Sequence, residues 1–122
     1  MAELAHLSEK EQTCVYRYLD LLRARLEANL AQVWLFGSVA RGDMWSENMP
    51  MRSDIDLLVL SESRVAEEVQ KDLFDETYAL FLECGRQLSP AFWTRARFNA
   101  PEEGIAEAFV ARVRQEGAQL YP

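Results

Sequence analysis

Asp54 and Asp56 are the side chains of this sequence best placed to do chemistry. They alternate with Ile55 at the head of the run Ser53-Asp-Ile-Asp-Leu-Leu-Val-Leu60. If that run is a strand, residues i and i+2 point to one face, roughly 6.5 to 7 Å apart along the chain. Two carboxylates so placed repel each other at the head of an apolar strand unless a cation compensates. A hard divalent ion such as Mg2+ does so with oxygen ligands, and bridges to phosphate oxygens. Upstream, Gly37-Ser38 follows a second apolar run, Val33-Trp-Leu-Phe36. A glycine directly after a strand lets the backbone approach a ligand closely. Ser38 brings a hydroxyl and caps a short helical turn through Val39 and Ala40, whose free N–H groups attract phosphate. Arg41 follows, able to neutralise triphosphate or pyrophosphate charge. Gly37, Ser38 and Arg41 are therefore the candidate nucleotide-binding residues, and Asp54 and Asp56 the candidate metal-binding and catalytic ones. Other roles compete at some positions: Arg41 can pair with Asp43, and Trp34 and Phe36 fit sheet packing better than base stacking.

Those residues need elements to hold them. Ser8-Glu9-Lys10-Glu11 reads as a capping box. Val15, Leu19, Leu22, Leu26 and Leu30 then mark one face of a helix from about 9 to 29. Val33–Phe36 and Ile55–Leu60 are too short and too continuously apolar for helices, and suit strands covered on both faces. Val65, Val69, Leu73, Leu80 and Cys84, with Phe74 and Phe81 alongside, give a helix over about 64–83 closed by Gly85. Leu88–Trp93 is a third strand, in which Pro90 argues for a sheet-edge position or a bulge. Pro101 at a first-turn position, then Ile105, Phe109 and Val113, gives a last helix ending at Gly117. The expected architecture is α/β (α+β), a small mixed β-sheet packed by helices, in one domain spanning residues 1–122.

Composition narrows the function classes. A net charge of −7 argues against broad nucleic-acid binding, which needs cations against phosphates. It leaves room for one nucleotide held by cations and backbone N–H groups. No apolar run reaches membrane-spanning length, and the start lacks the pattern of a signal peptide, so a cytoplasmic location is expected. Cys14 and Cys84 fall within helical patterns as small apolar residues. His6, the single histidine, lies near the start and is a poor catalytic candidate. Arg95-Ala-Arg97 reads as a solvated edge, and Trp45 as a loop anchor rather than a base or partner contact.

Phe36-Gly-Ser-Val-Ala-Arg-Gly-Asp43 together with Ser53-Asp-Ile-Asp-Leu-Leu-Val59 resembles the minimal nucleotidyltransferases of the DNA polymerase β-like superfamily. Many of these are the antitoxin half of prokaryotic HEPN/MNT pairs. The resemblance implies that Gly37 and Ser38 hold a triphosphate, ATP or another nucleoside triphosphate, and that Asp54 and Asp56 ligate Mg2+; members of this type transfer AMP. It implies in-line attack of an acceptor hydroxyl on the α-phosphate, release of pyrophosphate, and a small helical HEPN-type protein as partner. A homo-oligomer is also compatible with it. Two features depart from the family pattern. The strand expected to carry a third carboxylate reads Arg86-Gln-Leu-Ser-Pro-Ala-Phe-Trp93, so Gln87 or Ser89 stands in its place. The loop before Asp54 is longer, with extra residues around Met44–Met51. Three functions stay open on this basis: transfer of a nucleoside monophosphate to a partner, a nucleotidyltransferase-fold module that neutralises a partner by contact, or a nucleotide sensor with neither transfer nor toxin.

Overall fold

The computed structural model describes residue 4, residues 7–37 and residues 54–122. Helix α1 (Glu9–Leu26) begins with the expected box: the Glu11 N–H donates to Ser8 Oγ at 3.1 Å and the Ser8 N–H donates to Glu11 Oε1 at 2.9 Å. A 3-10 turn (Glu27–Asn29) leads into β1 (Leu30–Phe36), and β2 follows at Ile55–Ser61. Helix α2 (Glu67–Cys84) closes on Gly85 in the left-handed conformation, then comes β3 (Leu88–Thr94). A five-residue helix α3 (Arg95–Asn99), helix α4 (Ile105–Glu116) and strand β4 (Ala118–Tyr121) complete the order.

The four strands run β3-β2-β1-β4. β1 is antiparallel to both β2 and β4, whereas β2 and β3 are parallel and joined by α2, the crossover that a parallel pair needs. β3 is an edge strand, which tolerates the missing N–H of Pro90. β2 sits inside and is covered on both faces, which explains its nearly unbroken apolar sequence. Ile55, Leu57 and Val59 face the larger core with Val15, Tyr18 and Leu22 of α1 and Leu73 and Leu80 of α2. Leu58 and Leu60 face a second core with Phe98, Val110 and Val113, flanked by Trp34, Phe36, Trp93 and Phe109. Trp34 and Phe36 are packing residues, as expected: their rings meet Phe98 at 5.7 Å and Phe109 at 5.2 Å.

The C-terminal third departs from the sequence expectation. The last helix does not start at Pro101. Thr94 Oγ1 accepts from the Arg97 N–H and starts α3, whose exit at Ala100 leaves the helical region, which the following proline disfavours. α4 begins only after Gly104. β4 was not expected at all, and it pairs with β1 through Val33, Trp34 and Leu35. Phe74 and Phe81 do not join the core of α2: they are 53% and 38% exposed.

One buried ion pair ties the two ends of the larger core together. Glu11, already used in the cap, presents Oε2 to Arg86 Nε at 3.2 Å, with both side chains under 5% exposed. Arg86 stands two residues before β3, so the pair joins the start of α1 to the segment that delivers β3 to the sheet. Cys14 is buried, and burial, then a hydrogen bond with Cys84, pushes its thiol up to about 12, so it behaves as a core residue and not as a nucleophile. Among the described residues no helix is long and apolar enough to cross a membrane.

Candidate active site

The strand register brings the candidate residues to one end of the sheet. Phe36 of β1 lies opposite Asp56 of β2, and Asp56 lies opposite Ser89 of β3. The Ile55 N–H donates to Gln87 O at 2.9 Å, fixing the head of β2 against the head of β3. Asp54 is exposed at the mouth of this end, while Asp56, two residues on, is half-buried. Burial raises the Asp56 carboxyl above its ordinary value of 3.8, and the neighbouring Asp54 charge raises it further. Both effects penalise the ionised form, and a bound cation reverses both.

Gly37 closes over Asp56. Its φ is +80°, and a Cβ built on it would lie 2.3 Å from Asp56 Oδ2. No side chain larger than hydrogen fits there while Asp56 keeps its place. Gly37 and the Asp54–Asp56 pair, distant in sequence, therefore form one surface. The donor set suits a hard divalent ion: two carboxylates on one strand face, one of them held at an unfavourable ionisation, with backbone packed against its outer oxygen. Among the described residues no group of three or more His, Cys, Asp and Glu side chains could hold a metal ion.

The register also decides which residue replaces the third carboxylate. Ser89 faces Asp56 across the parallel pair, and its hydroxyl donates to Asp54 Oδ2 at 2.8 Å. Gln87 is turned to α2, where its amide donates to Thr77 Oγ1 at 2.9 Å and to Leu88 O at 2.7 Å. Glu83 is engaged by Arg17 of α1, lines a different cavity, and takes no part. Ser89 thus orients the Asp54 carboxylate but brings no charge of its own.

Asp54 and Ser89 form one wall of an open cavity of about 480 Å³, completed by Phe74, Asp75, Thr77 and Tyr78 of α2 and by Gln87. Of these α2 residues only Phe74 stood out in the sequence, and as part of the helical pattern rather than of a site. Their only signal was that Phe74 and Tyr78, one turn apart, fall off the stripe that faces the core. Ser38, Arg41, Asp43, Trp45 and His6 lie outside the described residues. Arg95 and Arg97 are exposed and paired, with Glu62 and Glu102 respectively, and Arg97 stacks 3.8 Å over Trp93.

The sequence profile of the nucleotidyltransferase domain matches residues 16–120, a span that includes Gly37, Asp54, Asp56 and Ser89. The chain belongs to this family. No curated protein matches it. Solved structures share the fold of this nucleotidyltransferase domain. One is a mutant MntA–HpeT toxin–antitoxin, 20% identical with TM-score 0.57, covering 88% of this chain and 71% of that one. A second, 18% identical with TM-score 0.58, is a toxin–antitoxin with AMP-PNP and covers 93% of this chain and 73% of that one. A third is a tri-AMPylated Shewanella oneidensis HEPN toxin in complex with an MNT antitoxin, 18% identical with TM-score 0.56, covering 91% and 71%.

Proposed function

We propose that this nucleotidyltransferase domain binds a magnesium-bound nucleoside triphosphate, ATP, and transfers AMP to a hydroxyl of a partner, acting in the cytoplasm as the antitoxin of a HEPN-type toxin. The observation that carries this is the single surface made by Gly37, Asp54, Asp56 and Ser89 at the sheet end. Asp54 and Asp56 hold the metal, with the Ser89 hydroxyl fixing the orientation of Asp54. Gly37 leaves the approach to Asp56 clear for phosphate oxygens, and Ser38 and Arg41 are proposed to take the rest of the triphosphate charge. Mg2+, when bound, neutralises the phosphates and stabilises the leaving pyrophosphate. The protein contributes mainly positioning. The partner assignment is supported by the fold shared with toxin–antitoxin structures, one of which contains a tri-AMPylated HEPN toxin.

The test is transfer of label from α-labelled ATP to a co-purified HEPN-type protein in the presence of Mg2+. Label on the partner, lost with Asp56→Ala, is expected; an unlabelled partner with every candidate tried rejects transfer.

A second function is favoured by one observation: Ser89 stands where a third carboxylate would act, so no base on β3 can take the acceptor proton. A domain that neutralises its partner by contact alone would keep binding and inhibiting it when both Asp54 and Asp56 are alanine. Loss of inhibition with binding intact excludes that alternative.

A further inference from the structure

We propose that Tyr78 is itself a nucleotidylation site, an acceptor hydroxyl carried by this chain. The inference rests on the transfer function proposed above and names one hydroxyl that lines the same cavity as Asp54 and Ser89. The cavity that opens on Asp54 and Ser89 contains three side-chain hydroxyls besides its amide and acids: Thr77, Tyr78 and Ser89. Two of them are committed. Thr77 Oγ1 donates to Phe74 O at 2.6 Å and accepts from Gln87, and Ser89 donates to Asp54. Tyr78 is 65% exposed, with Phe74 one turn before it on the same wall. The other three tyrosines are placed elsewhere. Tyr18 is buried with its hydroxyl on Leu73 O, Tyr16 and Tyr121 line a separate cavity with Arg23, and Arg23 covers the Tyr121 ring.

The chemistry of the site favours a phenol. Ser89 cannot remove the acceptor proton as a carboxylate would, and a phenol gives up its proton far more readily than an aliphatic alcohol. In the transfer, a bond forms between Tyr78 Oη and the α-phosphorus of a nucleoside triphosphate. The bond from that phosphorus to the oxygen bridging the α- and β-phosphates breaks, pyrophosphate leaves, and the phenolic proton passes to water in the open cavity. No oxidant or further reactant is involved. The product places a phosphodiester and a nucleoside in the cavity beside Asp54, so one turnover would block the approach of any external acceptor.

Two readouts test this on the purified chain. In the first, tyrosine nitration by tetranitromethane is mapped by peptide mass spectrometry with and without Mg2+ and a non-hydrolysable ATP analogue, whose binding is followed by calorimetry. Bound analogue is expected to abolish nitration of Tyr78 and to leave that of Tyr16 unchanged. In the second, the chain is incubated with Mg2+ and ATP, and one added AMP is expected on the Tyr78 peptide. It should be absent from Tyr78→Phe, which removes only an exposed hydroxyl, and from Asp56→Ala. Analogue that binds without protecting Tyr78, or AMP found on another residue or on a partner but never on Tyr78, overturns this proposal and leaves the transfer function standing. Failure of the nucleotide to bind overturns both.

Discussion

Replacing Gly37 by alanine should be much more damaging than the same change at Gly85, although both glycines have nearly the same backbone. Their φ values are +80° and +75°, so each alanine meets the left-handed penalty of about 1–2 kcal/mol. At Gly85 the new methyl finds nothing within 4 Å, and the backbone penalty is the whole effect. At Gly37 it would stand 2.3 Å from Asp56 Oδ2 and 3.2 Å from its carboxyl carbon. Displacing a side chain on a central strand adds an overpacking cost of about 1–3 kcal/mol. Gly37→Ala should therefore lose about 2–5 kcal/mol, which for a chain of this size lowers Tm by about 8–20 °C. Gly85→Ala should lower it by about 4–8 °C. Urea unfolding of the two single variants, and of each combined with Asp56→Ala, gives the comparison. Removing the Asp56 carboxylate should rescue Gly37→Ala by about 1–3 kcal/mol and leave Gly85→Ala unaffected. Equal costs at the two glycines, or no rescue, would refute the close approach of Gly37 to Asp56.

Other outcomes follow from the same packing. Because the Asp56 carboxyl is raised in the folded chain, that chain holds more protons than the unfolded one between the unfolded and folded pKa values, so stability falls as pH rises through the folded value. Metal-free Asp56→Asn should be more stable than wild type at neutral pH, with the gain vanishing at pH values below the ordinary carboxyl range; thermal melts across pH check this, and a variant less stable at pH 7 contradicts it. Adding Mg2+ with a non-hydrolysable ATP analogue should raise the Tm of wild type and not that of Asp56→Asn, measured by scanning calorimetry. Glu11→Gln should lose about 3–5 kcal/mol in chemical denaturation, because it breaks the buried ion pair with Arg86. Tyr18→Phe removes a single buried hydrogen bond to Leu73 O and should lose only about 1 kcal/mol.

The sequence revealed elements wherever local pattern determines structure. The capping box, the core stripe of α1 and the two apolar strands carry their own periodicity, and Pro90 argues for an edge position or a bulge. What it hid depends on partners far along the chain. Glu11 was legible as a cap residue, but its second bond goes to Arg86, which only the packing of α1 against the head of β3 brings near. β4 is four residues long and alternates too briefly to be distinguished from a frayed terminus; pairing with β1 is what makes it a strand. Phe74 and Phe81 looked like core because they are apolar on a helix, but they lie off its buried face. At the site, the Asp54–Asp56 pair was legible from period two. The choice between Gln87 and Ser89 was not, because it is set by the β2–β3 register, which turns Gln87 to α2 and Ser89 to Asp54.

The proposed metal site is tested most directly by Mn2+ in place of Mg2+, read as paramagnetic broadening of backbone amide resonances. At low Mn2+ the amides of Gly37, Asp54, Ile55, Asp56 and Ser89 should broaden first, and the Asp54→Asn, Asp56→Asn double variant should lose this pattern. Broadening that begins instead along the acidic residues of α2, or that is unchanged in the double variant, would contradict a metal held by Asp54 and Asp56.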